Sequence, residues 1–231
     1  MAPITLIYFD TNVFICVREQ LESGEHARVH YGNKFDRANE VIQGINQYIE
    51  YYDDNGPLVQ FITSIITEIE INSKYKEFVT NQFFLEKGFP VSMLSGSRKY
   101  QAQRPLRREF TDEDRIEIKA RIESSNQWIR TWKHHDRIEI RGLTSEVFSL
   151  TEKAASAVEG IHLSDTLHVC SAIVFGCSYF VTNDSDLIRY VGDINQYLQD
   201  NELYPDGTPV YSSLEALNIR SFRDRSRQRP R

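Results

Sequence analysis

Several features that would narrow a protein's class at once are missing from this sequence. Only three cysteines occur in 231 residues, Cys16, Cys170 and Cys177. Three thiols cannot pair completely and their spacings match no zinc pattern, so neither a disulfide scaffold nor a cysteine zinc site is expected. Each lies in an apolar stretch, as a buried free thiol does. Eleven glycines and seven prolines are too few for a collagen-like or low-complexity chain. No uncharged run approaches the roughly 18 to 20 residues that cross a bilayer, and no charged-then-apolar leader opens the chain. No repeat of fixed period is visible. A cytoplasmic protein with no membrane partner is the expectation.

What is present is a core and an uneven charge. Hydrophobic residues make up 40% and aromatics 12%, enough for one large domain or one domain with insertions. The net charge is −6, but residues 220–231 hold six arginines against Asp224, a net of +5, which leaves −11 on the first 219. Such an acidic body points on its own toward basic or metal partners rather than nucleic acid. Where the acids sit decides the matter.

Ile4–Phe9 is an almost wholly apolar run that stops at Asp10-Thr11-Asn12, as a buried parallel strand does. A helix is expected over Val13–Leu21 and another through Phe35–Tyr52, where apolar residues recur every three or four positions. Leu58–Ile62 is a second strand, and Thr63 or Ser64 caps a helix running through Glu70 to about Val79. Residues 86–109 hold Gly88, Pro90, Gly96 and Pro105 and are expected as a loop or short helical excursion. Thr111 and Asp114 stand in capping-box positions for a helix to Trp132. Ile138 and Ile140 mark a third strand. Thr144 caps a helix to Val158, and Ser164 caps one from Asp165 to Phe175, closed by Gly176. Ser178–Thr182 is a fourth strand ending at Asn183-Asp184-Ser185-Asp186. Pro209–Tyr211 is expected as a fifth strand and Ser213–Leu217 as a helical turn, with a basic, disordered tail over 220–231. Strands alternating with helices predict an α/β fold whose parallel sheet is covered on both sides.

Ligands of open parallel sheets bind beyond the carboxyl ends of the strands. Asp10 and Asp184 follow two strands, while Asp165 opens a helix and Glu70 lies about two turns into another. Four converging carboxylates repel strongly unless cations neutralise them, and all-oxygen ligands suit Mg²⁺ or Mn²⁺.

Four segments then carry a resemblance: Asp10-Thr11-Asn12-Val13, Ser64 to Glu70, Asp165-Thr166-Leu167-His168-Val169, and Val181 to Leu187. Together they resemble the PIN-domain family, most of all its VapC-type toxins, with the tightest match from Ile138 to Leu187. The resemblance implies a three-layer α/β/α sandwich around a mostly parallel sheet of about five strands. It makes residues 1–219 a single domain with insertions near 22–33 and 83–109. It further implies a ribonuclease, usually a homodimer, that holds one or two Mg²⁺ or Mn²⁺ ions through Asp10, Glu70, Asp165 and Asp184. Those ions would activate water for attack on an RNA phosphodiester, and a toxin of this kind would have an antitoxin partner. Asn12 and Thr182 match polar positions that steady the carboxylates.

Other residues compete for roles. Glu68 and Glu70 are two apart and point roughly 200° away from each other on a helix, so both cannot enter one site; the family spacing selects Glu70. Asp186 is a loop or capping residue that could reach the metal or its waters. His168 lies one turn past Asp165 and could bond it, but a core histidine is the favoured reading. His26 and His30 have helical metal-ligand spacing but fall in a polar segment, and His134-His135 reads as surface. Arg98, Lys99, Arg104, Arg107 and Arg108 form a basic stretch without an acid that could meet RNA phosphates. Two rival functions remain. An RNA-binding or scaffold module could keep this fold without turnover. A phosphohydrolase could use an aspartyl-phosphate on Asp10, though the acid usual two residues later is here Asn12.

Overall fold

The computed structural model of the chain describes residues 4–13, 59–89, 110–133, 138–201 and 211–228. By internal contacts it divides into two compact units, Met1–Thr67 with Asp136–Arg231, and Glu68–His135. The expected helices over 13–21 (beyond Val13) and 35–52, Cys16, the insertion at 22–33, the basic stretch from Arg98 to Arg108 and His26, His30, His134 and His135 all lie outside the described residues.

The first unit is built on five strands: β1 (Thr5–Phe9), β2 (Val59–Ser64), β3 (Ile138–Arg141), β4 (Tyr179–Thr182) and β5 (Glu215–Asn218). Their order is β3-β2-β1-β4-β5 and every pairing is parallel. β1 sits at the centre, which is why Ile7, Tyr8 and Phe9 are fully buried. Alternation along the strand sends Tyr8 to one face and Phe9 to the other.

On the Tyr8 face lie α3 (Ser145–Ala157), α4 (Leu163–Val174) and α5 (Ser185–Asp200). Tyr8 stacks on Phe180 there, within a core that includes Ile62, Val147, Leu150, Val169, Ile173 and Ile194. On the Phe9 face, α6 (Ile219–Gln228) lays Phe222 edge-on against Phe9, which also stacks on Phe61. Helices therefore cover both sides of a parallel sheet, as the alternating pattern predicts.

In the second unit, α1, which spans Ile65–Glu86 and starts directly after β2, packs beside α2 (Asp112–Lys133). Phe83 and Phe84 both meet the Phe110 ring, and Arg121 holds Glu86 through two hydrogen bonds of 2.9 Å. The capping box forms as predicted: Thr111 N–H donates to Asp114 at 2.9 Å, and Asp114 N–H donates to the Thr111 hydroxyl at 3.2 Å. α1 runs seven residues past the expected end at Val79. Thr80 does not interrupt it, because its hydroxyl turns back onto the Lys76 carbonyl at 2.6 Å and Phe83 and Phe84 are buried one turn on. Gly88 then stops the helix at φ 86°, with Phe89 N–H on the Phe84 carbonyl and Gly88 N–H on that of Leu85.

Four local expectations need correction. α4 starts at Leu163 with His162 at its cap, so Ser164 lies inside the helix. α5 is a full helix where the sequence suggests only a polar strand end, and Asp184 caps it with bonds from the N–H groups of Asp186 and Leu187. Tyr211 is outside any strand, and β5 replaces the expected turn of helix because the open edge of β4 offers it a ladder from Tyr179 to Thr182. Residues 219–228 are helical rather than a disordered tail, fixed by the buried Ile219 and Phe222 and by Asn218, whose side chain caps Ser221 N–H at 2.8 Å.

Candidate functional site

The carboxyl ends of β1 and β4 lie level, since Phe9 pairs with Val181 and Asp10 N–H extends the ladder to the Val181 carbonyl at 3.0 Å. That register sets Asp10 beside Thr182. The Asp10 side chain is almost fully buried and anchored at both oxygens: Thr11 N–H donates to Oδ1 and the Thr182 hydroxyl to Oδ2, each at 2.7 Å. The Thr182 hydroxyl also accepts from Asp184 N–H at 3.0 Å, tying the start of α5 to Asp10. A buried carboxylate held by two donors can stay ionised.

Asp165 comes to the same edge from the first turn of α4. Its carboxyl is raised above the ordinary aspartate value of 3.8, first by burial and then by the negative charges of Asp10 and Asp184, with His162 and His168 opposing. Asp10, Asp165 and Asp184 thus share one electrostatic environment, although they come from residues up to 174 positions apart. The sign of this shift gives a pH prediction. A carboxyl whose folded value is raised binds more protons folded than unfolded, so the metal-free protein loses stability as pH climbs from about 3.8 through the raised value. Asp165→Asn flattens that decline in a series of thermal melts; an unchanged slope contradicts the coupling.

The other candidates take varied positions. Thr182 bonds Asp10 directly. Asn12 is exposed, and the adjacent Thr11 supplies the N–H to Asp10. Asp186 is exposed and 3.9 Å from Arg189. Glu68 and Glu70 lie two residues apart on α1, part-exposed and on different faces, and belong to the second unit. His168 is a core histidine: Nδ1 is 2.8 Å from the Tyr8 hydroxyl and Nε2 is 3.2 Å from that of Thr11. Sequence reasoning does not single out Tyr8 or Thr11. The signal for Tyr8 is its hydroxyl in an otherwise apolar strand, which needs a buried partner.

As donors, these groups suit a hard divalent cation, since they are carboxylate oxygens whose mutual repulsion a cation would relieve. In their present arrangement, no group of three or more His, Cys, Asp or Glu side chains among the described residues is disposed to hold a metal ion. The cluster is open, with Asp10 and Asp184 each committed to backbone N–H groups.

No family model matches the chain, and no curated protein matches its sequence. Among solved structures it is similar to that of VapBC2 from Rickettsia felis bound to a DNA fragment from their promoter. That likeness has a TM-score of 0.40 and 13% identity, over 93% of this chain and 98% of the other. A likeness so slight does not bear on function. Among the described residues, no helix is long and apolar enough to cross a membrane.

Proposed function

We propose that the chain is a metal-dependent endoribonuclease of the PIN type, with Asp10, Asp165 and Asp184 as its metal-holding carboxylates. The observation that supports it most is the raised carboxyl of Asp165, driven by burial and by two like charges at the carboxyl edge of a parallel sheet. An isolated protein does not gain stability from such an arrangement, so a cationic ligand is the natural reason for it. One or two Mg²⁺ or Mn²⁺ ions there would supply an activated water and stabilise charge on the phosphodiester oxygens and leaving group.

The chain's own residues do the rest. Thr11 N–H and the Thr182 hydroxyl orient Asp10. Asp184 is held at its place by the N–H groups that it caps. Lys and Arg of the 98–108 stretch and arginines of α6 would attract the RNA phosphates that the acidic body repels. An antitoxin partner and a homodimer belong to the same proposal, by resemblance to the VapC-type toxins.

Purified protein given single-stranded RNA should cleave it with Mn²⁺ or Mg²⁺ and stop on chelation. RNA bound but left intact under either metal would replace this reading with that of a binding module.

A further inference from the structure

Beneath the acidic edge runs a continuous buried chain of polar side chains. Ser64, Tyr8, His168, Thr11, Thr67 and Thr63 are each buried, with the histidine only 1% exposed. The Tyr8 hydroxyl donates to Ser64 Oγ at 2.8 Å, which uses its single proton. His168 Nδ1 is 2.8 Å from the same hydroxyl. Its other ring nitrogen, Nε2, is 3.2 Å from the Thr11 hydroxyl. Thr67 lies 3.5 Å beyond Thr11 and 2.6 Å from Thr63, whose hydroxyl reaches the Phe9 carbonyl at 3.0 Å.

This chain ties the helix that carries Asp165 to the turn that carries Asp10. His168 sits three residues, one turn, after Asp165 on α4, while Thr11 follows Asp10 and bonds it through its N–H. A ring bonded at both nitrogens to elements of β1 and its exit turn cannot shift without breaking both contacts. We propose that His168, clamped between Tyr8 and Thr11, is a positioning residue that sets Asp165 against Asp10. This rests on the reading of those acids as an ion site, and extends it to groups that never touch the ion.

The test is Mn²⁺ binding by the full chain without RNA, followed by electron paramagnetic resonance, beside a thermal melt of each variant. Tyr8→Phe and Thr11→Val are each expected to weaken Mn²⁺ by about tenfold or more, the usual effect of losing a group that supports a metal ligand. Thr11→Ser, which keeps the hydroxyl, should hold wild-type affinity. Thr151→Val is the stability control: it removes a buried hydroxyl that bonds the Val147 carbonyl of its own helix α3, and should leave Mn²⁺ binding unchanged. Wild-type affinity in Tyr8→Phe and Thr11→Val overturns the proposal while the nuclease reading stands. So does equal weakening by Thr151→Val, or loss of affinity in Thr11→Ser. A wild-type chain that binds no Mn²⁺ overturns both.

Discussion

Asp10→Asn is expected to lower metal-dependent RNA cleavage on the order of 10³-fold, the rate equivalent of the several kcal/mol that a bound ion contributes. The substitution is close to isosteric. Its amide oxygen still accepts from Thr11 N–H, the bond made at 2.7 Å in the native protein. The other half of the group becomes a donor toward the Thr182 hydroxyl, whose oxygen retains accepting capacity. What disappears is one negative charge, and that charge also acts on Asp165. In metal-free buffer the variant therefore melts at or above the wild-type temperature while catalysis collapses. Opposite movement of activity and stability separates a functional carboxylate from a structural cap. Cleavage retained within a few-fold, or a large drop in melting temperature, would assign Asp10 to the fold alone.

Phe222→Ala is expected to cost about 3–5 kcal/mol, the usual range for emptying a buried phenylalanine site. Phe222 is fully buried, stands edge-on to Phe9 with ring centroids 5.5 Å apart, and anchors α6 on the face of the sheet opposite α4. That loss is a large share of the roughly 5–15 kcal/mol by which a domain is stable. Denaturant unfolding of the wild type and variant measures it. A difference below about 1 kcal/mol would mean that 219–228 does not pack as a helix on the sheet.

Much of both units is legible in the sequence because local signals and burial agree. β1, β2 and β4 are apolar runs bounded by polar stops, and Thr144 and the Thr111–Asp114 pair cap their helices through bonds that sequence spacing alone specifies. α5 is harder to see, although Leu187, Tyr190, Val191, Ile194 and Leu198 recur at helical spacing and are all buried. The polar Asn183–Asp186 segment looks like a loop, whereas Asp184 is the cap of α5. β5 and α6 are hidden for a different reason. Whether Glu215–Asn218 becomes a strand is decided by the free edge of β4, and an arginine-rich segment hides the single phenylalanine that fixes α6.

The site divides in the same way. Topology alone places Asp10, Asp165 and Asp184 at one sheet edge, and they influence one another there. Position along the chain does not reveal that Thr182 binds Asp10, in a contact 172 residues long, or that the ring nitrogens of His168 face Tyr8 and Thr11. Those are tertiary facts. Nor does spacing choose between Glu68 and Glu70, which sit two residues apart on α1 with similar neighbours.

In the proposed function, the carboxylates at this edge exist to hold a divalent cation. A calorimetric titration of Mn²⁺ into metal-free protein at neutral pH tests it without assuming a substrate. Wild type should bind one or two ions. Asp10→Asn and Asp165→Asn should each abolish that heat. Equal binding by wild type and both variants, or none by any of them, would contradict the account.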